Sequence, residues 1–318
     1  MKLTSIVNSV REFFFKPVPV QSVAAVRVLF GLLLLANWYM TWTHLEVFWG
    51  TNGLVSLNTS QIYGSDWRFS FFDWLPNDPR TATFVALLNL AAALGVTFGL
   101  FTRTSILFAF LTVMSFHNRN VFILNSSDLV LRNLLFFMMF TPAGEAYSLD
   151  RLIARVRGLA PEIPALRAPW GLRLMQIQFC LIYVSTVLFK MKGTYWADGT
   201  AIYIATRLDE FVRIPLPLLN NLVIIKLLTW GTLITEFSLG TLVWIKELRY
   251  WVLLAGLGLH LGIEVVMNIP MFEWVMIAAM GLMIEPFDAE KIDQWVRGKL
   301  KERFANKEIS ILNSVTAE

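Results

Sequence analysis

The chain has 318 residues, of which 56% are apolar and only 16% charged; its mean hydropathy is +0.58 and its formal net charge +4. A soluble domain carries about 25% charged residues, so a water-soluble protein is excluded, and the basic excess reads as membrane topology rather than nucleic-acid binding. The single cysteine, Cys180, lies in an apolar run and rules out an internal disulfide and any cysteine-based zinc or iron–sulfur site.

The apolar residues come in runs of about 20, the length that crosses ~30 Å of hydrocarbon. They predict an all-α fold, a polytopic helical membrane bundle of eight spans. A basic arm leads into the first span, 20–42, which is long enough to cross and lacks the small-residue cleavage site of a signal peptide. The loop 43–80 that follows is long and aromatic ("FWGTNGLVS", "YGSDWRFSFFDWLPNDP") and is expected to pack as a lid over the outer mouth of the bundle. Spans 82–101, 104–118 and 128–142 come next, the latter two short. In "SLDRLIARVRG", Leu149, Leu152, Ile153 and Val156 share one helical face, which predicts a helix lying on the membrane surface. Spans 172–190, 220–245, 249–267 and 269–285 follow, the last pair joined by a tight turn at 267–270. The tail 287–318 is amphipathic over 287–305. There is no repeat or low-complexity stretch, so one transmembrane domain, 1–286, carries a cytoplasmic tail. With both termini in the cytoplasm, 18 Lys and Arg fall inside and six outside, the bias that sets orientation.

Ionisable residues inside spans are costly and need a partner or a purpose. By this topology His44, Glu46, His117, Asp128, Lys190, Asp198, His260 and Glu264 gather in the outer half, with Asn118, Asn120 and Asn125 beside them, and the inner half has no comparable set. Asp128 and Arg132 are four apart on one face, so a pair with each other is expected. Glu236, in mid-span without a local partner, is expected to meet Arg132 or Lys190 from another helix. His260 and Glu264 are also four apart; the carboxylate either orients the imidazole or the two line a wet crevice. Three histidines and Glu264 match a zinc or iron set in type, but they come from separate spans without ligand spacing, and no metal is predicted. The tryptophans at span ends, Trp196 among them, form an interfacial belt. Lys190 ends its span either as a snorkelling anchor or as a pocket base. Lys192 is better placed as the anchor, and the polar, aromatic "GTYWADGTA" behind Lys190 favours the pocket.

The ordered stretches "QIQFCLIYVSTVLFKMKGTYWADGTA", "ITEFSLGTLVW" and "GLHLGIEVVMNIPMFEWVMIA" carry a resemblance. Over about residues 18–286 the chain resembles the horizontally transferred transmembrane (HTTM) domain proteins of the vitamin K-dependent gamma-carboxylase-like superfamily. In the carboxylase branch a lysine after a Tyr–six residues–Lys helix end deprotonates vitamin K hydroquinone; Tyr183 to Lys190 has that spacing. The resemblance thus implies Lys190 as base, His260 as partner, and Glu236 and Asp198 as orienting carboxylates. It implies bacterial inner-membrane localisation and, as the candidate cofactor or substrate, a membrane quinol. Asn125 is kept where that branch has an Asn-His pair, but Ser126 replaces the histidine. The chain also stops about 30 residues past its last span, so carboxylation of protein glutamates is not expected. Two functions follow. One is a membrane enzyme acting on a lipid-soluble substrate at a pocket of Lys190, His260, Glu236, Asp198, Asn125, Trp196, Glu264, Asp128 and Arg132. The other is a non-catalytic maturation or assembly partner of a secreted peptide or protein, as in SdpB-like relatives. A transport pathway needs polar groups through both halves and is disfavoured.

Overall fold

The computed structural model describes residues 3–64 and 68–315. Ser65–Trp67 of the expected lid and the last three residues of the tail lie outside the described residues. The chain is helical throughout, with two isolated β-bridges and no strand among the described residues. The principal helices are α1 (Leu3–Phe15), α2 (Gln21–Thr43), α3 (Pro79–Phe98), α4 (Thr102–Arg119), α5 (Ser126–Met138), α6 (Leu149–Val156), α7 (Trp170–Lys190), α8 (Leu222–Gly240), α9 (Arg249–Val266), α10 (Phe272–Met280) and α11 (Pro286–Val315).

Five of these, α2, α3, α7, α8 and α9, are long and apolar enough to cross a membrane, so the chain is an integral membrane protein. Helices α4, α5 and α10 fall at the other three expected spans but are shorter or more polar. Local chemistry sets the ends. Asp78 accepts the Arg80 N–H at 2.7 Å and Pro79 takes the first turn, starting α3 earlier than expected. Gly99 ends it in the left-handed conformation (φ 65°). The expected span 220–245 breaks at Gly240 and continues only as a short 3₁₀ turn, Leu242–Trp244.

The bundle packs on small residues and branched apolar ones. Phe30, Leu34, Ile106, Leu134, Phe179 and Val275 are fully buried in one core contributed by α2, α4, α5, α7 and α10. Helices α2 and α3 approach closely at Gly31, where a Cβ would stand 2.5 Å from the Thr97 Cα. Membrane helices associate through such close backbone contact because lipid offers no hydrophobic drive. The outward faces stay apolar, with Leu32, Phe84, Leu181, Leu227 and Trp251 exposed, as a lipid-facing surface requires.

The segment between α2 and α3 folds as three short helices, Leu45–Trp49, Leu57–Tyr63 and Phe71–Trp74, over a second core of Leu45, Phe72, Val85 and Phe116. The end of α4 staples it. Arg119 donates to the carbonyls of Val55 (2.8 Å) and Gly50 (3.0 Å), Asn118 to Phe69 (2.7 Å) and Asn120 to Phe48 (3.0 Å). Asn118 and Asn120 therefore hold loop backbone and are not part of a polar pocket with Lys190. At the opposite end, α6 exposes Leu149, Leu152, Ile153 and Val156 as expected. The tail is one helix from Pro286, tied to the bundle where the Tyr250 hydroxyl donates to Asp288 at 2.6 Å.

The end away from the lid segment also corrects an expectation, because it has its own buried polar set. Arg27 is fully buried and donates to the Tyr147 carbonyl. Arg249 pairs with Glu285. Arg173 donates to the Phe13 carbonyl (3.1 Å) and to Gln176 (2.8 Å), which donates to the Leu282 carbonyl (2.7 Å).

Candidate functional site

Helix α7 organises the site. Tyr183 and Lys190 are seven residues apart, so they lie ~10 Å apart along the axis and about 20° apart around it, on one face. The two side chains reach partners on different helices, an imidazole on α9 and a carboxylate on α8.

Tyr183, buried, meets His260 of α9: its hydroxyl lies 2.6 Å from Nε2. The other ring nitrogen, Nδ1, is bonded to Oε2 of Glu273, in the first turn of α10. The His260 and Glu273 side chains are 3% and 1% exposed, so both were taken from solvent as a pair. A carboxylate only accepts, which assigns the proton of the neutral imidazole to Nδ1 and leaves Nε2 to accept the Tyr183 O–H. Phe179 and Phe272 wall the chain, with ring centroids 5.0 Å from Tyr183 and 6.5 Å from His260. The second Glu273 oxygen, Oε1, is buried without a partner among the described residues. Tyr183–His260–Glu273 is thus a three-member proton-handling chain in an apolar wall.

Two turns along, Lys190 donates to both oxygens of Glu236, at 2.6 and 2.7 Å. Glu236 is the fifteenth of the 19 residues of α8, and its side chain is 10% exposed, that of Lys190 22%. Of the two partners expected for Glu236, Lys190 is the one it meets. The ammonium also sits 4.7 Å from the centroid of the Trp196 ring, a cation–π contact. Trp196 therefore covers Lys190 besides ending a span. Lys190 is neither a free snorkelling anchor nor a lysine alone in a dry pocket; it is one half of an ion pair at the edge of the bundle.

The remaining candidates are placed elsewhere or used otherwise. Asp198 is exposed and caps its own turn, accepting from the Thr200 N–H (2.9 Å) and hydroxyl (2.5 Å). Glu264 does not orient His260: it accepts from Arg213 at 2.8 Å, and Glu273 has the orienting role. Asn125 and Asp128 form a capping box at the start of α5, with Asn125 accepting from the Ser127 N–H at 2.8 Å. Asp128 does not pair with Arg132; its other oxygen lies 3.8 Å from His117 Nε2. The three histidines have separate partners, His44 beside Thr43 (2.9 Å), His117 beside Asp128 and His260 in its chain. No group of three or more potential ligands converges among the described residues.

Two hollows adjoin this end of the bundle. A cavity of about 280 Å³ is lined by His44, His117, Asn125, Asp128, Tyr39 and Trp49, among others. A groove of about 620 Å³ runs past Arg132, Asn133 and Gln178. Neither is lined by Lys190 or His260. Sequence reasoning missed Glu273 and the part played by Tyr183. The available signal was a lone carboxylate inside the apolar run "PMFEWVMIA", which lipid would not tolerate unpaired.

No solved structure matches the chain. The family model described as HTTM domain matches residues 15–287, nearly the whole membrane region and all of the residues placed above, and the chain belongs to the HTTM domain family.

Proposed function

We propose that the protein is a membrane enzyme acting on a lipid-soluble, quinol-like substrate at the exposed edge of α7. One observation carries this reading. The Lys190–Glu236 pair and the Tyr183–His260–Glu273 chain share one face of one spanning helix, although each costs desolvation that a purely structural helix avoids. The surroundings fit a flat hydroxylated ring entering from lipid: Lys190 is half-buried under Trp196, and the adjoining Leu188 and Phe189 are 57% and 77% exposed. A quinol supplies the acidic hydroxyl and the reducing equivalents. Lys190 releases its resting proton to water and, as the amine, takes the hydroxyl proton; Glu236 then holds the ammonium again in the two-oxygen contact of the resting pair, and the two electrons of the quinol pass to dioxygen. Tyr183, backed by His260 and Glu273, is the second proton relay on that face. Asp198 acts by fixing the turn after Trp196 rather than by touching substrate. The resemblance to gamma-carboxylase-like proteins supports the same assignment of Lys190, Glu236 and His260, and a bacterial inner-membrane location.

A second reading is a non-catalytic maturation or assembly partner of a secreted peptide or protein. It is favoured by the position of both hollows away from Lys190 and His260. The test is consumption of reduced naphthoquinone by the purified full chain, with air and bicarbonate present, above the uncatalysed rate. The enzyme reading expects turnover in the wild type and a fall of about a hundredfold in Lys190→Ala. Absence of wild-type turnover with benzoquinols and naphthoquinols alike sinks it and leaves the partner reading.

A further inference from the structure

Arg132 answers to nothing in that mechanism. It is the seventh of the 13 residues of α5 and is half-buried. Asp128, one turn earlier, is occupied by the capping box and faces His117. Among the described residues Arg132 makes no hydrogen bond and no ion pair. The groove it lines fixes its depth. The groove descends from Arg68, Phe69 and Asn118 at the outer end of the bundle to Gln178, the ninth of the 21 residues of the spanning helix α7, and Arg132 lies between them. A guanidinium below the membrane surface is costly unless it meets a counter-charge.

The rest of the groove is built for one. Asn133 and Gln178 present two more amides beside Arg132, and neither finds a partner among the described residues. Phe110, Phe136 and Phe137 form the wall, with ring centroids 5.6 and 5.4 Å apart. Phe136 is 40% exposed, so the wall continues onto the lipid-facing surface. A plain snorkelling arginine needs neither the amides nor a hollow of about 620 Å³. Its Cα lies six residues, ~9 Å, below the start of α5, within reach of a headgroup drawn slightly inward.

We propose that this groove is a specific site for an acidic phospholipid. The headgroup phosphate accepts from the Arg132 guanidinium through two oxygens, Asn133 and Gln178 complete the shell, and an acyl chain lies along the phenylalanine wall. The site is on α4, α5 and α7, roofed by Phe69 and by Arg68, which is already paired with Asp73 (2.9 Å); it lies away from Lys190, and its failure would leave the quinol reading untouched.

The test is native mass spectrometry of the full chain in detergent, titrated with phosphatidylglycerol against phosphatidylcholine of identical chains. The expected result is retention of phosphatidylglycerol over phosphatidylcholine. Arg132→Gln should weaken it about tenfold, the size of one charge-assisted hydrogen bond, and Arg132→Lys should weaken it less. Equal retention of the two lipids overturns the proposal, as does full retention in Arg132→Gln. Displacement of phosphatidylglycerol by inorganic phosphate alone would make this a soluble-anion site and overturn the lipid assignment. Should Arg132→Gln fail to fold, the wild-type comparison stands by itself and Gln178→Leu serves as the second variant.

Discussion

The two ends of helix α7 solve the same problem in opposite ways. Near its start, Arg173 and Gln176 bury polar groups by donating to backbone carbonyls of Phe13 and Leu282. Carbonyls do not titrate, so these bonds act as fixed staples between helices. Near its end, Tyr183 and Lys190 bury theirs against His260, Glu236 and Glu273, all of which can change protonation state. One end spends its polarity on architecture. The other assembles groups that exchange protons, and it leaves one glutamate oxygen unpaired among the described residues. Burial of charge alone therefore does not mark a site; the chemical nature of the partner does.

This contrast can be broken by substitution, and thermal unfolding in detergent provides the common scale. The largest loss is expected for Glu273→Ala, which strands a buried imidazole N–H and opens a void, at about 3 kcal/mol. Lys190→Ala comes next, at about 2 kcal/mol, because it leaves Glu236 buried without its counter-charge. Adding Glu236→Gln to Lys190→Ala should recover about half of that loss; an additive double variant would show that the pair is not a coupled unit. Gln176→Leu should cost about 1 kcal/mol in stability while leaving quinol consumption per folded molecule unchanged. Should it instead abolish turnover, the division between the two ends of α7 fails. The smallest effect is expected for Asp198→Ala, within about 0.5 kcal/mol because the turn it caps is exposed.

Much of the fold was legible in the sequence because lipid constrains it so tightly. Runs of apolar residues announced the helices, while the caps Asp78 and Gly99 set the bounds of α3 at Pro79–Phe98, where hydropathy alone places them at 82–101. The family and the Lys190–Glu236 contact were legible as well, since a carboxylate in the middle of "LLTWGTLITEFSLG" has few cations to choose from. Local spacing misled elsewhere. Asp128 with Arg132 and His260 with Glu264 both stand four apart on a helix, yet neither pair forms, the first because of a local cap and the second because of tertiary packing. Asp128 closes its own helix start, Arg213 takes Glu264, and Glu273 reaches His260 from a separate helix. A helical i,i+4 pair is worth only about 0.3–0.5 kcal/mol, and a partner in the buried interior outweighs it. The inner half read as empty because arginines such as Arg27 and Arg249 look like topology signals. Only packing reveals that they are inside the bundle.

The staples at the end of α4 bear on how freely the lid segment can change its letters. Asn118, Arg119 and Asn120 hold it by carbonyls of Phe48, Gly50, Val55 and Phe69, and every amino acid carries a carbonyl. Part of the instructions for the loop's path is therefore written outside the loop, in three consecutive residues at the end of a neighbouring helix. A mutational scan should find Val55 permissive and Asn118 to Asn120 intolerant, so that drift in the loop's sequence would retune its surface while its shape is inherited unchanged.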